Sequence, residues 1–316
     1  MQFSTPVPIL ENSSPIDYNS KIMSLGSCFA VNMAEKFDYY KFQNCCNPFG
    51  IIFNPVSIEK LIKRVVNNEL FTEKDIFFHN DLWHCFDVHS ELSNPNKDVF
   101  LRLLNDLLDS TRQQITKSTD FLITYGTSWV YRDIESNQIV ANCHKVPQKQ
   151  FTKEILSVET IETAIKNTLA NILSVNSEAK FTLTVSPVRH IKDGFVENQR
   201  SKAHLISAIH SIDNLQQLTY SYFPSYEIMM DELRDYRFYN QDMLHPNSLA
   251  IDYIWHRFKE TTISKSALKV MDEVESVQKS LSHRSFNPES ESHQKFLAKL
   301  QSRIVKLRSE YSFMKF

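Results

Sequence analysis

Short apolar runs alternate with longer helical segments along most of this chain. The apolar runs lie at residues 22–25, 121–126 and 181–188 and are short enough for buried strands. Between them, residues 99–115 and 157–174 repeat apolar positions at helical spacing. This alternation is typical of a mostly parallel sheet covered by helices on both faces. We therefore expect an α/β fold with its site at the carboxyl ends of the strands.

Local signals predict several further elements. Ser57 is expected to cap a helix over residues 57–70, and residues 82–89, LWHCFDVH, alternate like a strand. Residues 134–138, IESNQ, read as a hairpin turn. The last strand is expected within residues 218–229.

From residue 264 onward the chain becomes charged and helical. One face of its last predicted helix carries four apolar residues, Phe296, Leu300, Ile304 and Leu307. Such a face packs on the rest of the protein or on a partner. We therefore divide the chain into a main domain, residues 1–263, and a C-terminal helical extension, residues 264–316.

Composition narrows the function. The chain has 316 residues, 42% of them hydrophobic, and a net charge of −2, which is ordinary for a globular protein and gives no electrostatic reason to expect a nucleic acid or membrane partner. The N-terminus lacks a signal-peptide pattern, so we expect a cytoplasmic location. Five cysteines without a C-x-x-C spacing favour neither a disulfide framework nor a zinc ribbon.

Glycine is unusually scarce. The chain has only four, at positions 26, 50, 126 and 194, whereas average usage is about 7%. A chain so poor in glycine is expected to keep it where the backbone requires it, so these positions are candidates for a functional site.

The stretch KIMSLGSCFAVNMAEKF, residues 21–37, predicts a strand, a tight turn at Gly26 and a helix. Cys28 would then lie at a helix N-terminus, where backbone N–H groups and the helix dipole stabilise a thiolate. It is a candidate nucleophile. The alternative is that Ser27 simply caps the helix and Cys28 is a small buried side chain.

A nucleophile needs a base, and the base needs a group that orients it. Asp242 precedes His245 by three residues in a predicted turn, a spacing that can bring the carboxylate onto the imidazole. His245 would then accept the Cys28 thiol proton. A solvated surface loop with the same spacing is the alternative.

Several short motifs occur in a fixed order: LGSCFA, NPFGIIFNP, GTSWVY, NCHKVP and DMLHP. With this set the chain resembles the GSCFA domain family, named for its pentapeptide and part of the SGNH, or GDSL-like, hydrolase superfamily. The resemblance covers roughly residues 20–260. It implies a three-layer α/β/α sandwich with a flavodoxin-like, mostly parallel sheet.

The resemblance also implies catalytic roles. The superfamily's G-D-S block corresponds to Gly26, Ser27 and Cys28, which puts Cys28 in the position of the catalytic serine. Its D-x-x-H block corresponds to Asp242 and His245, the acid and base of the triad. Because cysteine replaces serine, either Cys28 or Ser27 is the nucleophile.

The resemblance also implies which residues donate hydrogen bonds to the oxyanion. The glycine block corresponds to Gly50, and the G-x-N-D block begins at Gly126. Ser128 stands where the superfamily has its donor asparagine, so the donor is either this shorter side chain or one from elsewhere, Asn54 or Asn142. Loss of one such donor typically costs ~10²–10³ in rate.

Two other polar segments invite interpretation. Residues 84–89 hold two histidines, a cysteine and an aspartate, to which His144 could add a metal ligand. In a strand His84 would point away from His89, so we favour a polar pocket lining that includes His89 and His144 over a metal site. Residues 186–205 are rich in basic residues, which include Arg189, His190, Lys192 and Lys202. They suit a lid for an anionic or sugar-bearing substrate, or a solvated loop before a helix.

The sequence thus predicts an esterase-like hydrolase or acyltransferase that acts on a small-molecule ester or thioester, such as an acylated carbohydrate, through an acyl-enzyme. No cofactor or metal is expected. The alternative is a catalytically weak or inactive binding or assembly protein that keeps the fold. The acyl acceptor and the oligomeric state stay open.

Overall fold

The computed structural model describes residues 5–214 and 220–316. Its strands are β1 (Lys21–Gly26), β2 (Gln43–Cys46), β3 (Phe77–His79), β4 (Leu82–His84), β5 (Asp120–Tyr125), β6 (Trp129–Asp133), β7 (Ile139–Val140), β8 (Phe151–Ile155), β9 (Lys180–Val185) and β10 (Tyr220–Phe223). Its α-helices are α1 (Cys28–Tyr39), α2 (Pro55–Val66), α3 (Lys97–Lys117), α4 (Val158–Val175), α5 (Phe195–His210), α6 (Ser225–Glu227), α7 (Ser248–Thr262), α8 (Lys265–Ser282) and α9 (Glu291–Glu310).

A parallel sheet forms the centre of the described residues, with strands in the order β10-β9-β5-β1-β2. β1 and β5 pair in register from Ile22 opposite Asp120 to Gly26 opposite Thr124. Numbered along the chain, these five strands stand in the order 2-1-3-4-5, which is a common doubly wound arrangement. The order in which strands are added to the sheet reverses between the first strand, β1, and the third, β5. The α/β class and the parallel sheet predicted from the sequence are confirmed. The expected ligand position is the crevice at the carboxyl ends of β1 and β5.

Helices cover both faces of this sheet, as expected for a three-layer sandwich. Phe121 and Ile123 of β5 pack on one face in a core shared with α2, α3, α4 and α5. Leu122 of the same strand packs on the opposite face, with α1, α7, α8 and α9. Alternate residues of β5 therefore enter separate cores, which explains why this strand carries consecutive apolar residues at 121–123.

Two small antiparallel sheets are inserted into the connections. β3 pairs with β4, and β6 pairs with both β7 and β8. The hairpin predicted through residues 134–138 is confirmed as the β6–β7 turn. The strand predicted for residues 82–89 is wrong beyond His84, where β4 ends. The last predicted strand is confirmed as β10, although residues 218 and 219 of that prediction lie outside the described residues.

The start of α2 also differs from the prediction. The helix begins at Pro55, and Asn54 is its N-cap, with the Asn54 Oδ1 accepting the Ser57 N–H at 2.8 Å. Ser57 is therefore the third helical residue and not the cap. Pro55 explains the difference, because proline favours the first helical position, where no N–H is needed.

The C-terminal helices pack on the sheet domain through a shared core. Leu300, Ile304 and Leu307 of α9 are buried in the same cluster as Phe37 of α1. Phe296, one turn earlier, is 37% exposed, so the predicted apolar face is buried only in its later part. Within the described ranges, no helix combines the length and apolar character required to cross a bilayer.

Candidate functional site

A sharp turn separates β1 from α1. Gly26 has φ +123°, and a Cβ built on it would lie 2.0 Å from the carbonyl oxygen of Thr124 on β5. The side chain of Asn47 fixes the Gly26 peptide groups, since its Oδ1 accepts the Gly26 N–H at 2.8 Å and its Nδ2 donates to the Gly26 carbonyl at 3.2 Å. Only glycine allows β1 to pass this close to β5 and then turn into the helix.

Ser27 and Cys28 occupy the two positions after this turn. Ser27 is buried and is the N-cap of α1, with its Oγ accepting the Phe29 N–H at 3.3 Å. Cys28 is the first helical residue and is partly exposed. Both alternatives raised by the sequence are therefore present side by side: a capping serine, and a thiol at the helix N-terminus.

Asp242 and His245 form a hydrogen-bonded pair in the loop before α7. The His245 Nδ1 lies 2.6 Å from the Asp242 Oδ2, and the other carboxylate oxygen accepts the backbone N–H groups of Leu244 and His245. These hydrogen bonds lower the pKa of Asp242 to about 2, so the carboxylate is ionised at neutral pH. Both side chains are almost half exposed, which leaves the imidazole open to a ligand.

The charge of Asp242 in this loop affects the pKa of Cys28. Burial raises the pKa of the Cys28 thiol above its usual value, and the negative charge of Asp242 adds to the rise. The positive charge of Lys202 and the backbone N–H groups of Cys28 and Phe29 act in the opposite direction. Among the described residues no side chain hydrogen-bonds to the Cys28 sulfur, and the raised pKa favours the thiol form.

Lys202 is the main feature of the site that the sequence did not reveal. It was expected in a basic lid or loop, but it lies on α5 and is 1% exposed. Its Nζ donates to the carbonyl oxygens of Gly126 and Ser186, both at 2.7 Å, just beyond the ends of β5 and β9. Burial lowers the pKa of Lys202 to about 7. Its spacing from Leu205 and Ile209 places it on the buried face of α5, a signal that helical periodicity carries.

His190 is a second unexpected neighbour. Its ring stacks on Phe53 with 5.7 Å between centroids, and its backbone N–H donates to Asn198. The Nε2 is buried and has no hydrogen-bond partner in the parts of the chain that the structure describes. Burial, with the charges of Lys202 and His245, lowers the pKa of His190 to about 3, so the ring is neutral at physiological pH.

The residues of the two glycine-containing blocks already have hydrogen-bond partners within the protein. The Gly50 N–H donates to the Asn47 carbonyl at 2.8 Å, in a turn where Gly50 has φ +77°. The Gly126 N–H donates to the carbonyl of Phe53 at 2.8 Å. Ser128 is fully buried, with its N–H and hydroxyl both bonded to Ser201 of α5. Gly50 thus closes a local turn, and Gly126 and Ser128 connect the segment after β5 to neighbouring segments.

The remaining predicted polar residues also support local structure. The Asn54 amide caps α2, and the Asn142 Oδ1 accepts the His144 N–H at 2.8 Å. The His144 Nε2 lies 2.6 Å from the Cys85 carbonyl, and the ring is buried. His89 caps the short helical turn at residues 90–92.

The possible metal ligands do not converge. The His84 Nδ1 lies 2.7 Å from the Ser93 hydroxyl, and its Nε2 lies 3.0 Å from the His79 carbonyl. In residues 5–214 and 220–316, no group of three or more His, Cys, Asp or Glu side chains is arranged to hold a metal ion. The strand-face argument made from sequence does not apply to Cys85 through His89, because they follow the end of β4.

Comparison with known proteins gives a family. A model described as the GSCFA family matches residues 21–258, and one described as the C-terminal domain of GSCFA domain proteins matches residues 274–316. No curated protein and no solved structure matches the chain. The first match spans well over half of the sequence and includes the β1–α1 turn and the Asp242–His245 loop. The chain belongs to the GSCFA family.

Proposed function

We propose that this protein is an esterase-like hydrolase or acyltransferase of the SGNH type, with Cys28 as nucleophile, His245 as base and Asp242 as the residue that orients the base. The observation that carries the proposal is the 2.6 Å contact between His245 Nδ1 and Asp242 Oδ2, and it is supported by the effect of the Asp242 charge, which raises the pKa of the Cys28 thiol. The parallel sheet, with Cys28 just after the carboxyl end of β1, supports it.

In the first step, the His245 Nε2 accepts the Cys28 proton while the sulfur attacks the carbonyl carbon of an ester or thioester. The tetrahedral intermediate collapses as the bond to the leaving oxygen or sulfur breaks, and the leaving group takes the proton from His245. The product is a thioester on Cys28. Asp242 favours the tautomer with the proton on Nδ1, which leaves Nε2 free as base.

In the second step, His245 accepts a proton from water or an alcohol, whose oxygen attacks the thioester. The Cys28 sulfur leaves and regains the proton from His245. Donors for the intermediate's oxyanion are then needed near Cys28. We assign this role to the Cys28 N–H, which already lowers the thiol pKa, because the Phe29 N–H donates to the Ser27 Oγ at 3.3 Å. The buried Lys202 charge favours negative charge at the same position.

A second candidate function is a binding or assembly protein without catalysis. It is favoured by the hydrogen bonds of Gly50 and Ser128, because the donors expected from the superfamily pattern are occupied by other protein groups. In that case Cys28 would be an ordinary thiol of the helix N-terminus.

Covalent labelling distinguishes the two. We expect 4-nitrophenyl acetate to transfer one acetyl group to Cys28, detected by intact-mass spectrometry and peptide mapping. His245→Ala should slow this transfer by about 10²-fold or more, the range for loss of a general base. Cys143→Ala, which removes another partly exposed thiol, should leave it unchanged. Absence of a Cys28 adduct, or equal labelling of His245→Ala, would favour the binding protein.

A further inference from the structure

An open pocket lies beside the loop that carries His245. Its space, which is open to solvent, amounts to about 490 Å³, and its lining includes Arg189, Arg234, Tyr236 and Tyr239. Arg189 connects the pocket directly to the loop, since its backbone N–H donates to the Leu244 carbonyl at 3.1 Å and its Nη1 donates to the Met243 carbonyl at 3.3 Å. A molecule in this pocket would therefore be next to the His245 loop.

The pocket carries unneutralised positive charge. Neither Arg189 nor Arg234 forms an ion pair with a carboxylate in the described part of the chain. Asp235 also lines the pocket, but it pairs with Arg237 at 2.9 Å and accepts the Arg237 N–H. Two guanidinium groups with free donors are suited to a carboxylate or phosphate.

Aromatic rings surround the first of these cations. The Arg189 guanidinium lies 5.3 to 5.5 Å from the ring centroids of Phe195, Tyr236 and Tyr239. Phe195 and Tyr236 are 63% and 59% exposed, which is high for large rings. The exposed rings offer a flat surface on which a planar or sugar ring can stack.

We propose that this pocket binds the leaving group of the substrate, and that this group is a ring bearing a carboxylate or phosphate. The assignment rests on the function proposed above, because it places an anion beside the base that protonates the departing oxygen. Arg234 would supply the ionic contact, and Tyr236 the stacking surface. Arg189 holds the loop and adds charge.

Binding of a product analogue tests the pocket without any chemistry. Isothermal titration with 4-hydroxybenzoate probes the carboxylate form, and phenyl phosphate probes the phosphate form. Arg234→Gln should weaken binding of the recognised anion about tenfold, as expected for loss of one charge-assisted hydrogen bond. Tyr236→Ala should weaken binding of both aromatic probes. Arg112→Gln removes an exposed arginine on α3 and should have no effect. Equal binding by wild type and Arg234→Gln would overturn the proposal.

Acylation kinetics then separate this proposal from the enzymatic one. Cys28 labelling by 4-acetoxybenzoate should slow about tenfold in Arg234→Gln, while labelling by neutral 4-nitrophenyl acetate should not change. Labelling that is insensitive to Arg234 for both esters would overturn the leaving-group pocket and leave the proposed enzymatic activity standing. Anion binding that depends on Arg234, without labelling of Cys28 by any ester, would overturn the proposed enzymatic activity. The pocket would then be an anion-binding site and not a leaving-group site.

Discussion

Lys202 is a lysine placed where burial opposes its charge. Its ammonium group donates to two carbonyl oxygens, lies 5.3 Å from the centroid of the Tyr226 ring, and contacts no carboxylate within residues 5–214 and 220–316. The charge of Glu227 acts on this ammonium group without forming an ion pair with it. A buried cation that is not ion-paired attracts negative charge that develops nearby, and Cys28 is within its electrostatic range. Lys202 is thus a positioning residue, whose charge favours negative charge on Cys28.

We expect Lys202→Met to raise the pKa of Cys28 further, since the largest influence that opposes burial is removed. Alkylation of Cys28 by iodoacetamide at about pH 6, below the pKa of about 7 of Lys202 and therefore with its ammonium group charged, should slow several-fold, because the thiolate is the reactive form. Lys202→Arg should restore part of the rate if it folds. Lys192→Met, at an exposed lysine, is the control. An unchanged pH profile of alkylation would show that Lys202 only supports the strand ends.

Two histidines should make the fold sensitive to acid. Burial lowers the pKa of His144 to about 4 and that of His190 to about 3, whereas in the unfolded chain each takes up a proton near pH 6.5. Below that pH the unfolded state binds more protons than the folded state, so the free energy of unfolding falls, by at most ~1.4 kcal/mol per pH unit for each histidine.

Urea unfolding at about pH 7.5 and about pH 5 checks this difference. The wild type should lose stability on acidification, and His144→Gln and His190→Gln should each show a smaller loss. His256→Gln, at a histidine whose side chain is 59% exposed, should behave like the wild type. Parallel pH profiles for all four proteins would contradict the prediction.

At the scale of elements, the β1–α1 turn depends on the absence of a Cβ atom at Gly26. Gly26→Ala would force a Cβ against the backbone of β5 and a side chain into a left-handed conformation. Overpacking and backbone strain each cost roughly 1–3 kcal/mol, so we expect a loss of about 3 kcal/mol or more in the free energy of unfolding. Gly126→Ala should cost less, since its Cβ would meet the Phe53 side chain. Chemical denaturation measures both, and equal losses would refute the comparison.

The elements were the most predictable part of this protein. Buried strands such as β5 and β9 and long amphipathic helices such as α3 follow from periodicity, because each strand or helix buries a regular set of positions. Boundaries were less predictable: Pro55 moved the start of α2, and the strand signal after His84 came from residues of an irregular loop.

The site was predictable only where its geometry is local. The Asp242–His245 pair lies within four residues, so spacing was sufficient to predict their contact. The partners of Lys202, in contrast, are 76 and 16 residues away. No periodicity specifies such contacts. The partners of Gly50 and Ser128 likewise emerged only from the packed structure, and the catalytic roles themselves stay predictions.

At the scale of the whole molecule, the C-terminal helices and the sheet share one core. Ile304 of α9 belongs to the same buried cluster as Trp255 of α7. We therefore expect Ile304→Ala to cost ~2–4 kcal/mol and to shift tryptophan fluorescence and far-ultraviolet circular dichroism together. Val305→Ala, at a residue that is 56% exposed, should change the free energy of unfolding by less than ~0.5 kcal/mol. Separate transitions for the two signals would indicate that residues 264–316 unfold independently.

The two faces of the sheet are also completed at different times during translation. Phe29, Met33 and Phe37 of α1 leave the ribosome before the helices that cover them, which come from residues 248–310. Until those residues emerge, the nascent chain presents an uncovered apolar surface, a condition under which aggregation or chaperone binding competes with folding. The helix that starts at Cys28 is thus synthesised before the helices that enclose it.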